Sequence, residues 1–385
     1  MLDPAVIAAT LAELGQPAYR ARQVYEALTR GLVTDFDAVT TLPLALRRAL
    51  RARLSPLSLT ERETRVAPDG TARKTLFATA DGHPVEAVLM QVAGRATVCV
   101  STQVGCAVGC PFCASGRLGL RRGLTAEEIV DPVLHFARLL REEGRHVTNV
   151  VLMGMGEPFH NYEQALRACR LLNDPAGFRL AARSISVSTA GVVPGIDRFA
   201  AEPLQLNLAV SLHAATDALR DRLVPLNRTY PLEALFAACQ RYVGRTRRKL
   251  LFEYVVLRGV NDTAEETAAL ATAALRTGPM NWLIGSPPPR ARVLPHLWDG
   301  PGAGDRHRRY RPQPRASRHD SPVLGRHRAD DPHRRGLGQS EGAAERNDPV
   351  AQGQLLGVAE LELGQLLAAG VNLEHRQVVV GVHGQ

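Results

Sequence analysis

The densest chemistry in the 385-residue sequence lies between Cys99 and Cys113, in the run CVSTQVGCAVGCPFC, which holds four of the six cysteines. Cys106, Cys110 and Cys113 have C-x3-C-x2-C spacing, with Phe112 just before the last thiol. Three thiolates on one tight loop suit three irons of a [4Fe-4S] cluster, a group otherwise ligated by four cysteines. With no obvious fourth ligand, one iron stays open to an external one. A structural zinc site using Cys99 as fourth ligand is the competing reading. Zinc sites build from C-x2-4-C pairs set a longer span apart, and no second pair follows here. Buried, unliganded cysteines are a weaker reading, because small hydrophobes rarely cluster at this spacing. Few cysteines and no secretory signal at the N-terminus point to a reducing compartment rather than a disulfide framework.

The elements that must position this loop read as an α/β fold. Residues 1 to about 50 are helical in pattern, with AVIAATLAEL, ARQVYEAL and PLALRRALRARL broken by Gly15, Gly31 and Pro43. Arg20, Arg22, Arg47, Arg48, Arg51 and Arg53 decorate these helices, either as solvated charge or as contacts to an RNA backbone. From about 60 to 93 short strands alternate with the turn signals Asp69-Gly70 and Asp81-Gly82. Glu86 is an unexpected carboxylate in the strand-like VEAVLM. On an edge strand it would face water; in a cleft its pKa would rise and it could act as a base.

Beyond that, ATVCVS, TNVVLM, SISVS, LNLAVS and LLFEYVVL alternate with helix-length segments, and a sixth strand is expected near Asn281 to Ile284. Further helices are expected over 161–172, 231–243 and 263–275. Thr125 to Glu128 reads as a capping box, with Pro132 expected to kink the helix or delay its start. Alternating strands and helices argue for a parallel sheet with right-handed crossovers, here a partial (β/α)6 barrel. Chemistry in such folds collects where strands open into loops at their C-terminal ends. Each strand exit carries small or polar residues: the cysteine loop, Gly154-Met155-Gly156-Glu157-Pro158, Ser188-Thr189-Ala190-Gly191, Ser211-Leu212-His213 and Gly259-Val260-Asn261-Asp262. The expected organisation is an N-terminal helical accessory domain (1–55), a β-rich extension (56–95), the barrel core (96–284) and a poorly ordered Arg/His/Pro/Gly-rich tail (285–385).

The formal charge of +9 suits a polyanionic partner, although much of the Arg and His sits in the tail. Aromatics make up 5% of the chain, too few for an obvious base-stacking surface. No apolar run reaches membrane-spanning length, so a soluble, cytoplasmic protein with no membrane partner is expected.

From about residue 15 to about 282 the sequence resembles the RlmN/Cfr family of radical S-adenosylmethionine (SAM) RNA methyltransferases. The resemblance rests on AYRARQVYEAL, CVSTQVGCAVGCPFC, NVVLMGMGEP, SVSTAGVVPGIDRFA, LAVSLHA and FEYVVLRGVND. It implies that Cys106, Cys110 and Cys113 hold a [4Fe-4S] cluster whose open iron chelates SAM. Gly156 and Glu157 would contact SAM, and Ser188, Ser211, Leu212, His213 and Asn281 match further cofactor contacts. Two SAM are implied per turnover. One methylates a C-terminal cysteine; the second is cleaved to a 5′-deoxyadenosyl radical that abstracts hydrogen from that methyl group. The carbon radical adds to adenine, Glu86 removes the adenine proton, and Cys99 releases the product by forming a disulfide with the carrier cysteine. The implied substrates are adenosine C2 in 23S rRNA and in tRNA, with adenine C8 as the alternative position. An electron donor such as flavodoxin or ferredoxin is implied as a partner.

One element of that pattern is missing: no cysteine follows Cys239. Cys169 and Cys239 fall in expected helices at positions that do not match the carrier, and read as buried small residues. From about Trp282 to Arg346 hydrophobic periodicity gives way to Arg, His, Pro and Gly. A basic RNA-binding tail and a shift of reading frame near residue 282 are the two explanations. Without the carrier, a cluster- and RNA-binding protein inactive in methyl transfer is the further alternative.

Overall fold

The computed structural model describes residues 2–92, 94–248, 250–276 and 281–285. Three amphipathic helices open the chain, α1 (Pro4–Glu13), α2 (Tyr19–Thr29) and α3 (Leu44–Arg53). Their apolar positions Ile7, Leu11, Val24, Leu28, Leu46 and Leu50 are all buried. Arg22, Arg51 and Arg53 are engaged in ion pairs with Glu26, Asp37 and Glu13.

Strands β1 (Leu59–Val66), β2 (Ala72–Thr79) and β3 (Pro84–Val92) then form an antiparallel meander. The meander is continuous with the next strand, β4 (Arg95–Cys99), through antiparallel pairing. After β4 come the short ribbon β5 (Gln103–Val104), helix α4 (Ala114–Leu118) and β6 (Arg122–Gly123), which pairs with β5.

The barrel core continues through α5 (Ala126–Glu142), β7 (Asn149–Leu152), α6 (Tyr162–Asn173) and β8 (Ile185–Thr189). It goes on through α7 (Val193–Phe199), β9 (Asn207–Ser211), α8 (Asp217–Leu223), α9 (Leu232–Thr246), β10 (Leu250–Val255), α10 (Ala264–Arg276) and β11 (Asn281–Gly285). The sheet order is β1-β2-β3-β4-β7-β8-β9-β10-β11, with every pair from β4 onward parallel. Six parallel strands in chain order form the expected partial barrel, and the expected sixth strand is β11. Of the expected tail (285–385), Gly285 is the last residue of β11 and the rest lies outside the described residues.

Strand alternation divides this sheet into two faces. Val85, Ala87, Leu89, Val98, Val150, Leu152, Val187, Leu208, Val210 and Phe252 are buried against Ile129, Val133, Phe136, Leu166 and Leu235 of the helices. Full burial of each such side chain is worth roughly 1.5–3 kcal/mol, so this face fixes the register. Cα partners in the ladders share a face, and that places Glu86, Cys99, Ser188, Ser211 and Glu253 together on the opposite one. Asn281 takes the same register position, opposite Leu251.

Two expectations are corrected. Pro132 does not delay its helix: α5 starts at Ala126, capped by the reciprocal Thr125–Glu128 box, and runs on through the proline. The cap and the buried stripe through Ile129, Val133, Phe136 and Leu140 outweigh the missing N–H donor. Glu86 is not on an edge strand, because β3 is paired on both sides. Nor is it deeply buried: it is half-exposed and ion-paired to Lys74 at 2.8 Å.

Beside Pro132, buried Asp131 ties the extension to α5, its Oδ2 accepting from the Ser58 and Leu59 N–H groups at 2.9 Å each. Asp131→Ala strands both donors at the start of β1. It should lower stability by about 2 kcal/mol in a denaturant titration.

Candidate active site

The exit of β4 and the exit of β7 are bound into one unit by Ser101. Its hydroxyl donates to the Glu86 carbonyl at 2.7 Å and accepts from Met155 N–H at 3.0 Å. Thr102 N–H donates to the Met155 carbonyl, and Gln103 Oε1 accepts from Glu157 N–H. The two glycines of the GMG run are required by this contact. A Cβ on Gly154 would sit 2.8 Å from Ser101 Oγ and from the Val100 carbonyl. One on Gly156, whose φ is +107°, would meet Gln103 Cβ at 2.6 Å.

Glu157 is buried and bridges to the next strand exit. Its Oε1 accepts from Phe159 N–H at 3.0 Å and its Oε2 from Ala190 N–H at 2.7 Å. Burial pushes its carboxyl up to about 7, against the pull of these hydrogen bonds.

The exits of β8, β9 and β10 meet around two further residues. Arg220, fully buried, donates to the Ala190, Ser211 and Leu212 carbonyls and to Asn227 Oδ1. Asn261 Nδ2 donates to the His213 and Val255 carbonyls at 2.8 Å, while its Oδ1 accepts from Leu257 N–H. His213 itself has left-handed backbone, φ +58°, and its Nδ1 accepts from Val255 N–H at 3.2 Å. Its ring lies edge-to-face on Phe112 with centroids 5.2 Å apart, which joins the cysteine loop to the β9 exit. Leu212 is buried, its carbonyl turned to Arg220. Ser188 and Ser211 meet at 3.3 Å, and both donate to Glu253 Oε2, at 3.0 and 2.9 Å.

Cys106 and Cys110 pack with Phe112, Val108, Leu219, Leu223 and Leu257. Burial pushes the Cys106 thiol up to about 11 and the Cys110 thiol up to about 12, and the neighbouring Cys113 adds to both. Nearby Arg220 acts in the opposite direction on Cys110. The donor set therefore fits an iron–sulfur cluster: three thiols on one loop that influence one another, in an apolar surround with a buried cation close by. Among the described residues no three His, Cys, Asp or Glu side chains converge closely enough to hold a metal ion as they stand. Ligation would have to draw the thiols together.

Cys99 lies on the polar face, near enough to Glu253 to feel its charge, and burial pushes its thiol up to about 12. All six cysteines are free, so the disulfide implied by the resemblance is not formed. Cys169 and Cys239 are buried in α6 and α9.

The candidate residues read from the sequence thus gather at one end of the sheet, with Asn281 located by register. Asn261 is already marked by the polar exit after LLFEYVVL, whereas Glu253 and Arg220 join the site as residues that the motifs alone do not single out. A signal for Glu253 is nonetheless present: a lone carboxylate in LLFEYVVL is as anomalous as Glu86 in VEAVLM. Arg220 has no such signal, because in DALRDRL it reads as ordinary surface charge.

Residues 100–271 match the Radical SAM superfamily. The chain is 47% identical over 275 residues to a probable dual-specificity RNA methyltransferase RlmN of Chloroflexus aurantiacus, spanning 70% of this chain and 73% of that protein. It is 46% identical over 264 residues to the dual-specificity RNA methyltransferase RlmN 1 of Myxococcus xanthus, spanning 69% and 74% respectively. Among solved structures it resembles a radical SAM methyltransferase from Sphaerobacter thermophilus at 50% identity. That match has a TM-score of 0.71 and covers 74% of this chain and 83% of the other.

Two outcomes are expected from this geometry. Arg220→Ala strands the Ala190, Ser211 and Leu212 carbonyls and opens a void, at a cost of about 3 kcal/mol in denaturant titration. At pH 8, iodoacetamide should modify Cys99 about a thousandfold more slowly than a free cysteine, because a thiol titrating near 12 remains protonated. Peptide mass spectrometry reads that rate.

Proposed function

Because the chain belongs to the RlmN family of radical SAM RNA methyltransferases, we propose that its site serves methylation of adenosine C2 in 23S rRNA and tRNA. The observation that carries this reading is the single polar face uniting Cys99, Ser188 and Ser211 with the register position of Asn281, at the strand exits that carry the cysteine loop. Cys106, Cys110 and Cys113 would hold the [4Fe-4S] cluster, and two SAM would be used per turnover. When bound, the cluster supplies the electron for reductive cleavage of SAM through its cysteine-free iron. Gly156, Glu157, Ser188, Ser211, Leu212, His213 and Asn281 would contact SAM.

Glu86 would accept the adenine proton at its carboxylate, which must first be released from Lys74. Cys99 would act as the resolving thiol; it must lose its proton to do so and needs a methylated cysteine as disulfide partner, which no residue after Cys239 supplies. No helix among the described residues is long and apolar enough to cross a membrane. A cytoplasmic place of work follows from the RNA substrates proposed, with flavodoxin or ferredoxin as electron donor.

A second reading is favoured by one observation: no cysteine follows Cys239. On that reading the chain binds cluster and RNA and cleaves SAM, but does not transfer methyl groups. Anaerobically reconstituted protein given SAM, reductant and unmodified RNA separates the two. Formation of 5′-deoxyadenosine together with 2-methyladenosine is the outcome expected of the methyltransferase. 5′-Deoxyadenosine alone supports the second reading, and neither product from cluster-loaded protein rejects both. Nucleoside mass spectrometry also distinguishes 2-methyl from 8-methyl product.

Glu157 sets a pH dependence. Below about 7 its buried carboxyl is protonated, and above that it is an anion able to accept from the cofactor's amino N–H groups and to balance its positive charge. SAM affinity should therefore rise about tenfold per pH unit between 5.5 and 6.5 and level off above 8. Calorimetry measures this rise, and Glu157→Gln should abolish it.

A further inference from the structure

Glu253 has no part in the mechanism above, yet it occupies the centre of the polar face. Ladder register sets it directly beside Ser211, and Ser188 lies on the next strand but one. Each serine hydroxyl has one proton and two lone pairs, whereas a carboxylate can only accept. Both hydroxyls reach the same oxygen, Glu253 Oε2, at 3.0 and 2.9 Å. With their protons turned to that oxygen, neither serine keeps a donor for a ligand, and what they present is lone pairs alone. An anionic ligand group placed here would meet only acceptors. A group with a positive centre, or one that donates, is complemented.

We propose that Glu253 is a positioning and specificity residue: by holding Ser188 and Ser211 as acceptors, it makes the site select a sulfonium cofactor over the neutral thioether left after methyl transfer. This role rests on the SAM-binding reading given above. It supplies what repeated use of SAM requires, since S-adenosylhomocysteine must leave before another SAM enters. Glutamine at this position would remove the negative charge in either orientation: with Oε1 toward the hydroxyls it still accepts from both, and with Nε2 toward them it makes them acceptors and turns a hydroxyl proton outward.

The test uses the full-length, cluster-loaded protein, anaerobic and without reductant so that SAM stays intact. Calorimetry gives the affinities for SAM and S-adenosylhomocysteine, and the readout is their ratio. A residue that only supports the fold would weaken both ligands alike and leave the ratio in place. The wild-type protein should prefer SAM, Glu253→Gln should cut the preference about tenfold, and Glu253→Asp should keep most of it. If the Glu253→Gln protein does not fold, Ser211→Ala reads the same patch: a lower ratio upholds the proposal and an unchanged ratio overturns it. A wild-type preference retained in full by folded Glu253→Gln overturns the role of Glu253 alone. Wild-type protein that binds neither ligand overturns the cofactor reading and this role with it.

Discussion

A strand shows its side chains alternately to its two faces, and the chemistry of this protein depends on that parity being kept across the barrel strands. The helix-covered face is sealed by Val, Leu, Ile and Phe, so its register is held by the hydrophobic effect. The polar residues follow on the other face as a consequence. Cys99 on β4, Ser188 on β8, Ser211 on β9 and Glu253 on β10 are far apart in sequence, yet they share one surface because each occupies the same parity. Packing on one side thereby aims the polar side chains on the other.

The strand exits add a second level of order, built from backbone rather than side-chain recognition. Ser101 joins the first two exits, Glu157 the second and third, and Arg220 the third and fourth. Glu157 and Arg220 each satisfy amides or carbonyls from two loops, and Ser101 ties its own loop to β3 and to the next exit. Such groups are costly when half-satisfied, so the loops are held together or not at all. The charges involved, a carboxyl at Glu157 and a guanidinium at Arg220, lie close to the cysteine loop and shape its electrostatics.

The cysteine loop, the capping box at Thr125 and the order of the barrel strands are all legible in the sequence, since each has a local pattern. What is not legible requires knowledge of neighbours. Glu86 reads as an edge residue because VEAVLM does not say which strands flank it; β2 and β4 do. The seven-residue helices α7 and α8 carry too few turns for a periodic signal. Arg220 lies in one of them, where a buried cation and a solvated one have the same spelling. Pro132 does not delay its helix, for the opposite reason: the capping box and burial of the helix face set the start ahead of the proline.

His213 carries two demands that differ in kind. Its backbone takes a left-handed conformation that disfavours β-branched residues, at roughly 1 kcal/mol for an ordinary side chain. Its ring must also accept from Val255 N–H and rest against Phe112. Glycine would relieve the backbone and lose the ring, whereas a bulky aromatic would keep the stacking and lose the acceptor. In an evolving lineage such a position is hard to leave by single steps, because each substitution that eases one demand worsens the other. Drift there is blocked by geometry as much as by chemistry.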